Sequence, residues 1–195
     1  MTTRTLCVIV CGAGPAPDVG TLVDLAHTNG WTVRIVATPA GLDFIDTDAL
    51  EQQTGTPVRS DYRPRQPRTR RSRDDAVLIA PATYNTVNKL ALGINDTYAL
   101  NIAAEAIGRR TPTVILPFVN QALAARRPFQ QAVEALRGEG VTVLLGPGGF
   151  IPHPPGTGDE QIAWFPWHAG LAAVQQRSTA TPATEPHPER PQHPG

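Results

Sequence analysis

Lysine is nearly missing from this 195-residue chain: the basic residues number 17, and Lys89 is the single lysine among them. Cysteine is as scarce, with Cys7 and Cys11 alone, in a run that reads as a strand. Two buried thiols fit that placement, whereas a disulfide framework or a cysteine-based metal site needs more cysteines at other spacings. No metal site is expected. No apolar run approaches the ~18 residues of a membrane-crossing helix. No basic-then-apolar leader opens the chain, so the expected location is the cytoplasm. Acidic residues also number 17, giving a net charge of zero, and nothing global attracts nucleic acid or an anionic membrane. Histidine is absent between His27 and His153, which removes the commonest near-neutral base from that span. His27, near a helix end, reads as a capping or surface residue.

Apolar residues make up 41% of the chain, enough for one core. Branched apolar runs at Leu6–Val10, Trp31–Thr38, Ala76–Ala80, Thr113–Leu116 and Val141–Leu145 read as buried strands. Pro81 is expected to end the third, because it cannot donate to a ladder. Helical spacing marks Val19–His27, Asp46–Gln53, a segment bearing Val87, Leu90, Ala91 and Ile94, then Ala99–Ile107 and Pro128–Gly138. A last helix, Ile162–Val174, carries Trp164, Phe165, Trp167 and Leu171. Strands alternating with helices predict a three-layer α/β fold: a Rossmann-like (flavodoxin-like) parallel sheet with helices on both faces. The domain is expected over 1–177, followed by a disordered proline-rich tail over 178–195.

Several loops are candidates for chemistry. Gly12-Ala13-Gly14 follows the first strand, where α/β proteins bring backbone close to a phosphate. The third glycine of a dinucleotide fingerprint is missing and Pro15 and Pro17 remove two donors, so a nicotinamide-binding domain is the weaker reading. Thr54–Asp74 interleaves Arg63, Arg65, Arg68, Arg70, Arg71 and Arg73 with prolines and has no hydrophobic period. It reads as a solvated loop, with an anion-docking role as the minority alternative. Tyr62 is the lone aromatic beside it, so no stacking platform for single-stranded nucleic acid accompanies the charge. Gly146–Gly158 is a Gly/Pro loop around His153, a residue that reads either as a surface histidine or as an acid–base group. Asn120, just after a strand, reads either as a helix cap or as a ligand group.

Pro81-Ala82-Thr83-Tyr84-Asn85-Thr86, with Asn88-Lys89 and Gly93-Ile94-x-Asp96 after it, resembles the PASANT-x-NK-x3-GI-x-DN signature of the flavin-containing cysteine decarboxylases. Those are the phosphopantothenoylcysteine decarboxylases and the lantibiotic-type peptidyl-cysteine decarboxylases. Thr83, Tyr84 and Thr97 depart from the pattern. The resemblance implies FMN, contacted by Gly12, Ala13 and Gly14, by Thr38, Ala40 and Phe44, and by Ala82, Thr83, Asn85 and Thr86. It also implies a homotrimer or a dodecamer of stacked trimers, with flavin at the subunit boundary. Pro117-Phe118-Val119-Asn120 lines up with the P-x-M-N motif, whose asparagine binds the carboxylate that is lost.

Two family features are absent. The arginine-rich stretch stands where the family carries its catalytic histidine, and His153 is the nearest equivalent of a loop cysteine that re-protonates product. Asp159 replaces an arginine at the end of that loop. The implied activity is flavin-dependent oxidative decarboxylation of a small thiol or of a peptide with a C-terminal cysteine, through a site that differs from the family's. Asn120 and His153 are its candidate catalytic residues, with Tyr84 or a loop arginine as other sources of missing side chains. The alternative is a catalytically silent FMN-binding regulatory or partner subunit.

Overall fold

A computed structural model describes residues 4–61 and 74–180. One sheet of parallel strands runs in the order β2-β1-β3-β4-β5. Its members are β1 (Arg4–Val10), β2 (Trp31–Ala37), β3 (Ala76–Ala82), β4 (Thr113–Pro117) and β5 (Thr142–Val143). The crossovers contain α1 (Val19–Thr28), α2 (Pro39–Leu42), α3 (Thr47–Thr54), α4 (Tyr84–Ala91), α5 (Tyr98–Gly108), α6 (Gln121–Ala124) and α7 (Arg127–Gly138). The helix α8 (Trp167–Ala180) follows the last strand.

The period-2 alternation of β1 splits the core in two. Leu6, Val8 and Val10 face a cluster closed by α1 and α8, while Cys7, Ile9 and Cys11 face one closed by α4, α5 and α7. Both faces of the central strands are thus covered, which is why their sequences are unbroken apolar runs. The expected three-layer fold is present. Among the described residues no helix is long and apolar enough to cross a membrane.

Several boundaries differ from expectation for local reasons. Pro81 does not end β3, which continues to Ala82. The ladder to β4 shifts register between Ile79 and Ala82, so no donor is required of Pro81, and its carbonyl still accepts from Cys11 N–H at 3.2 Å. Ile94 lies outside α4 and is exposed, because Gly93 turns the chain out of the helix at φ 69°. Thr97 then caps a separate helix, α5. The last strand is shorter than Val141–Leu145, because the chain beyond Val143 bends into the Leu145–Phe150 bridge. The single helix expected from Ile162 is instead a 3₁₀ turn, Asp159–Trp164, and then α8, leaving Trp164 79% exposed. The helix α8 reaches Ala180, past the expected boundary at 177. The arginines of 63–73 and residues 181–195 of the tail lie outside the described residues.

Among the ion pairs that the sequence reading did not foresee, Arg34 on β2 binds Asp74 with two side-chain hydrogen bonds. Cys7, across from Arg34 in the ladder, is fully buried. Burial pushes its thiol up from 9.0 to about 12, with the Arg34 charge opposing and the Asp74 charge adding to the rise.

The unfolded chain surrenders the Cys7 proton at lower pH than the native one. Stability from the neutral buried thiol is therefore whole below pH 9.0 and is lost as pH climbs toward about 12. In urea melts between those limits, wild type should lose stability more steeply than Cys7→Ala, by up to about 1.4 kcal/mol per pH unit. Parallel slopes for the two proteins would refute this.

Candidate functional site

The strand order reverses between β1 and β3: the connection from β1 leads outward to β2, and the one from β3 leads the other way to β4. In sheets of this order the carboxyl ends of those strands leave a crevice where ligands bind. Four strand ends are tied together there by single backbone hydrogen bonds. Thr38 N–H donates to Val10 O at 2.9 Å, Cys11 N–H to Pro81 O at 3.2 Å, and Phe118 N–H to Ala82 O at 2.9 Å.

The turn after β1 is pressed between its neighbours. A Cβ at Gly12 would stand 2.7 Å from Ala40 O and 3.1 Å from Phe44 Cε2, and one at Gly41 would stand 2.5 Å from Val10 O. Gly14 has Ile162 and Phe118 side chains at 3.1 and 3.3 Å from its ideal Cβ position. Among the described residues, the backbone N–H groups of Gly12, Ala13 and Gly14 have no hydrogen-bond partner. The first-turn N–H groups of α2 and α4, including those of Ala40, Tyr84 and Asn85, have no acceptor within their own helices. Such converging donors suit an anion.

The hydroxyls of the neighbouring loops are already engaged. Thr38 Oγ1 accepts from Gly41 N–H at 3.1 Å and caps α2. Thr83 Oγ1 accepts from Thr86 N–H at 3.2 Å and caps α4, and the Thr83 and Thr86 hydroxyls are 3.0 Å apart. Cys11 Sγ–H donates to Thr86 Oγ1 at 3.3 Å. Burial raises the Cys11 pKa, against hydrogen bonds with the Thr86 side chain and the Thr83 backbone, so the thiol keeps its proton. Thr86 is buried, Thr83 is half-buried, and Asn85 is exposed. Tyr84 stacks on Phe129, centroids 5.3 Å apart, so its ring is committed to α7.

On the far side of the crevice the two candidate catalytic residues meet. Asn120 and His153 form an isolated parallel bridge, and Gln121 N–H donates to His153 O at 2.8 Å. Asn120 Oδ1 accepts from Leu123 N–H at 2.9 Å, so the cap is real, and it orients the amide with Nδ2 left to donate. His153 is not a surface residue: 8% of it is exposed. Its ring packs 5.2 Å from Phe118 and 6.0 Å from Phe150, within a cluster continued by Phe165 and Trp167. His153 Nδ1 lies 2.9 Å from Pro154 O, which can only accept. In the neutral imidazole the proton is thus on Nδ1 and Nε2 is an acceptor.

All the expected site residues lie around one rim. Reasoning from sequence missed Cys11 as part of the network, and missed Phe118 and Ile162 as its covering side chains. The spacing of Phe118 two residues before Asn120 was the available signal for the first of those covers.

The sequence model of the Flavoprotein family matches residues 1–169. The chain belongs to that family. It is 32% identical over 78 residues to the dihydromethanopterin reductase (acceptor) of Methanosarcina mazei, a match covering 40% of this chain and 30% of that protein's length. Its fold is similar to the FMN-dependent cysteine decarboxylase SpaF, at 27% identity and TM-score 0.65 over 89% of this chain and 98% of SpaF. It is also similar in fold to TvaF, an FMN-dependent cysteine decarboxylase from thioviridamide biosynthesis, at 22% identity and TM-score 0.68 over 91% of this chain and 99% of TvaF. The chain is a flavoprotein related to the cysteine decarboxylases, as its 81–96 signature implied.

Gly12 lies where two backbones meet. Gly12→Ala should destabilise the fold by about 1–3 kcal/mol in chemical denaturation, since Ala40 O is main chain and cannot swing aside. Gly20→Ala, within α1 and facing only the flexible end of Gln53, should be neutral or stabilising by up to ~1 kcal/mol. Equal losses for the pair would contradict this packing.

Proposed function

We propose that the chain binds FMN across the carboxyl ends of β1 and β3 and uses it to oxidise a cysteine-like thiol, leading to decarboxylation. The unpartnered Gly12, Ala13 and Gly14 amides beside the Thr83 cap carry this reading. Those amides, with the first-turn amides of α2 and α4, would hold the phosphate through backbone alone. FMN, when bound, supplies a two-electron acceptor for the Cα–Cβ–S unit of a small thiol or of a peptide with a C-terminal cysteine. Asn120 Nδ2 donates to the substrate carboxylate, oriented by the Leu123 bond on its other end. His153 Nε2 takes the thiol or Cα proton and stands in for the family's missing base. Exposed Leu92, Ile94 and Trp164 support burial between subunits of a homotrimer or dodecamer. The assembly would work in the cytoplasm.

A second reading, an FMN-binding regulatory or partner subunit without turnover, draws on the lack of any histidine between His27 and His153.

Purified protein should absorb as an oxidised flavin and release FMN, identified by mass. Anaerobic addition of a peptide ending in cysteine, or of a small cysteine derivative, should bleach the flavin and yield carbon dioxide. Asn120→Asp keeps an oxygen for the Leu123 cap but repels a carboxylate, so KM should rise about tenfold or more at unchanged Tm. His153→Ala should lower kcat by ~10²-fold or more. Bound FMN that no thiol reduces would favour the partner-subunit reading. A colourless protein that also refuses added FMN would sink both.

A further inference from the structure

His153 has one ring nitrogen in use and one free. Nδ1 lies 2.9 Å from Pro154 O, and the ring packs with Phe118 and Phe150 at centroid distances of 5.2 and 6.0 Å. Among the described residues Nε2 has no partner. The unpartnered side-chain atoms sealed from solvent there are Trp31 Nε1 and Ser60 Oγ, and His153 Nε2 is not one of them. A residue only 8% exposed therefore has part of that exposure at its free nitrogen.

The outer edge of the imidazole faces Gly158. A Cβ there would stand 3.3 Å from Cε1 and 3.6 Å from Nε2, with Phe118 Cε1 next at 3.8 Å. The backbone does not call for glycine at this position, because φ −60° and ψ −40° lie in the right-handed region open to every L residue. Two other glycines of the same loop differ. Gly148 and Gly156 hold φ of 83° and 85° with nothing within 4 Å of an ideal Cβ, so conformation alone accounts for them. A glycine in helical geometry carries an entropic penalty that alanine would relieve. What alanine would take away at 158 is room, and that room adjoins the edge bearing Nε2.

We propose that Gly158 is a positioning residue for His153: its bare Cα lets the loop close against the Cε1–Nε2 edge while a proton donor can still reach Nε2. A methyl group there would press the ring aside by a few tenths of an ångström and crowd the nitrogen. Proton transfer needs heavy atoms within about 2.6–3.2 Å, so a shift of that size acts on rate more than on binding. That the incoming proton belongs to a thiol substrate rests on the decarboxylation reading. That Nε2 is open does not.

Diethyl pyrocarbonate, which acylates unprotonated imidazole nitrogen, tests the open edge without flavin or substrate. Peptide mass mapping of the full chain should find His153 modified, with exposed His27 and His168 as internal references. Gly158→Ala should slow modification at His153 severalfold and leave both references and Tm unchanged. Gly156→Ala, strained at φ 85° but with no neighbour within 4 Å, should lower Tm and leave the His153 rate alone. In turnover, Gly158→Ala should lower kcat about tenfold or more at a KM within about twofold of wild type. A wild-type His153 that resists the reagent while His27 and His168 react would overturn the open nitrogen. Equal His153 rates in wild type and Gly158→Ala, or a Gly158→Ala chain that fails to fold, would assign the glycine to packing instead. The expected modification pattern in a protein whose flavin no thiol reduces would uphold the placement of Gly158 and remove the decarboxylation reading.

Discussion

The rim rests on a short chain of backbone hydrogen bonds that joins strand ends beyond the regular ladder. Thr38 N–H to Val10 O, Cys11 N–H to Pro81 O and Phe118 N–H to Ala82 O tie β2 to β1, β1 to β3 and β3 to β4 at one level. Gln121 N–H to His153 O adds the returning loop. Each bond is worth only about 0.5–1.5 kcal/mol net, yet together they hold four connections whose spacing no single side chain determines. Positioning of Thr83, Asn120 and His153 follows from this main-chain frame.

That frame changes what the rim side chains are free to do. Thr38 and Thr83 sit directly after strands and Asn120 shortly after β4, where the next helix needs its first amides satisfied, and each gives an oxygen to that task. A capping oxygen is a spent acceptor, but the rest of the side chain is fixed in direction by the cap. For Asn120 the cap settles which way the amide points. For Asn120, capping and ligand binding were opposed readings in the sequence, and the cap that forms through Oδ1 leaves Nδ2 to donate.

How much of this was legible in the sequence follows from the range of the interactions. Strand runs, helix faces and the loops after β1, β2 and β3 were readable because period and turn chemistry are local. The signature at 81–96 pointed to flavin for the same reason. Pro81 misled because its tolerance within β3 depends on a register shift toward β4, a partner about 35 residues away in sequence. His153 misled because Pro/Gly richness argues for an exposed loop, whereas Phe118, Phe150, Phe165 and Trp167 gather from three separate segments to bury it. Arg34 read as one more strand residue until Asp74 was placed beside it. No window of sequence contains those encounters.

The same aromatic cluster bears on why the turn after β1 carries glycine at 14. Serine at Gly14 would meet Ile162 Cδ1 and Phe118 Cε1 at contact distances of 3.1 and 3.3 Å before its hydroxyl was placed. Gly158 lies against the other end of this packing, with His153 Cε1 3.3 Å from its ideal Cβ position and Phe118 Cε1 at 3.8 Å. One edge of Phe118 is therefore shared by the β1 turn and the His153 loop. This packing is tight at both 14 and 158, and a larger residue at either would push the ring edges aside by a few tenths of an ångström. What remains for an anion is the bare amides of Gly12, Ala13 and Gly14, and a tightly packed turn is what keeps such amides aligned. The small residue at 14 and the buried histidine both go with the same close packing around Phe118.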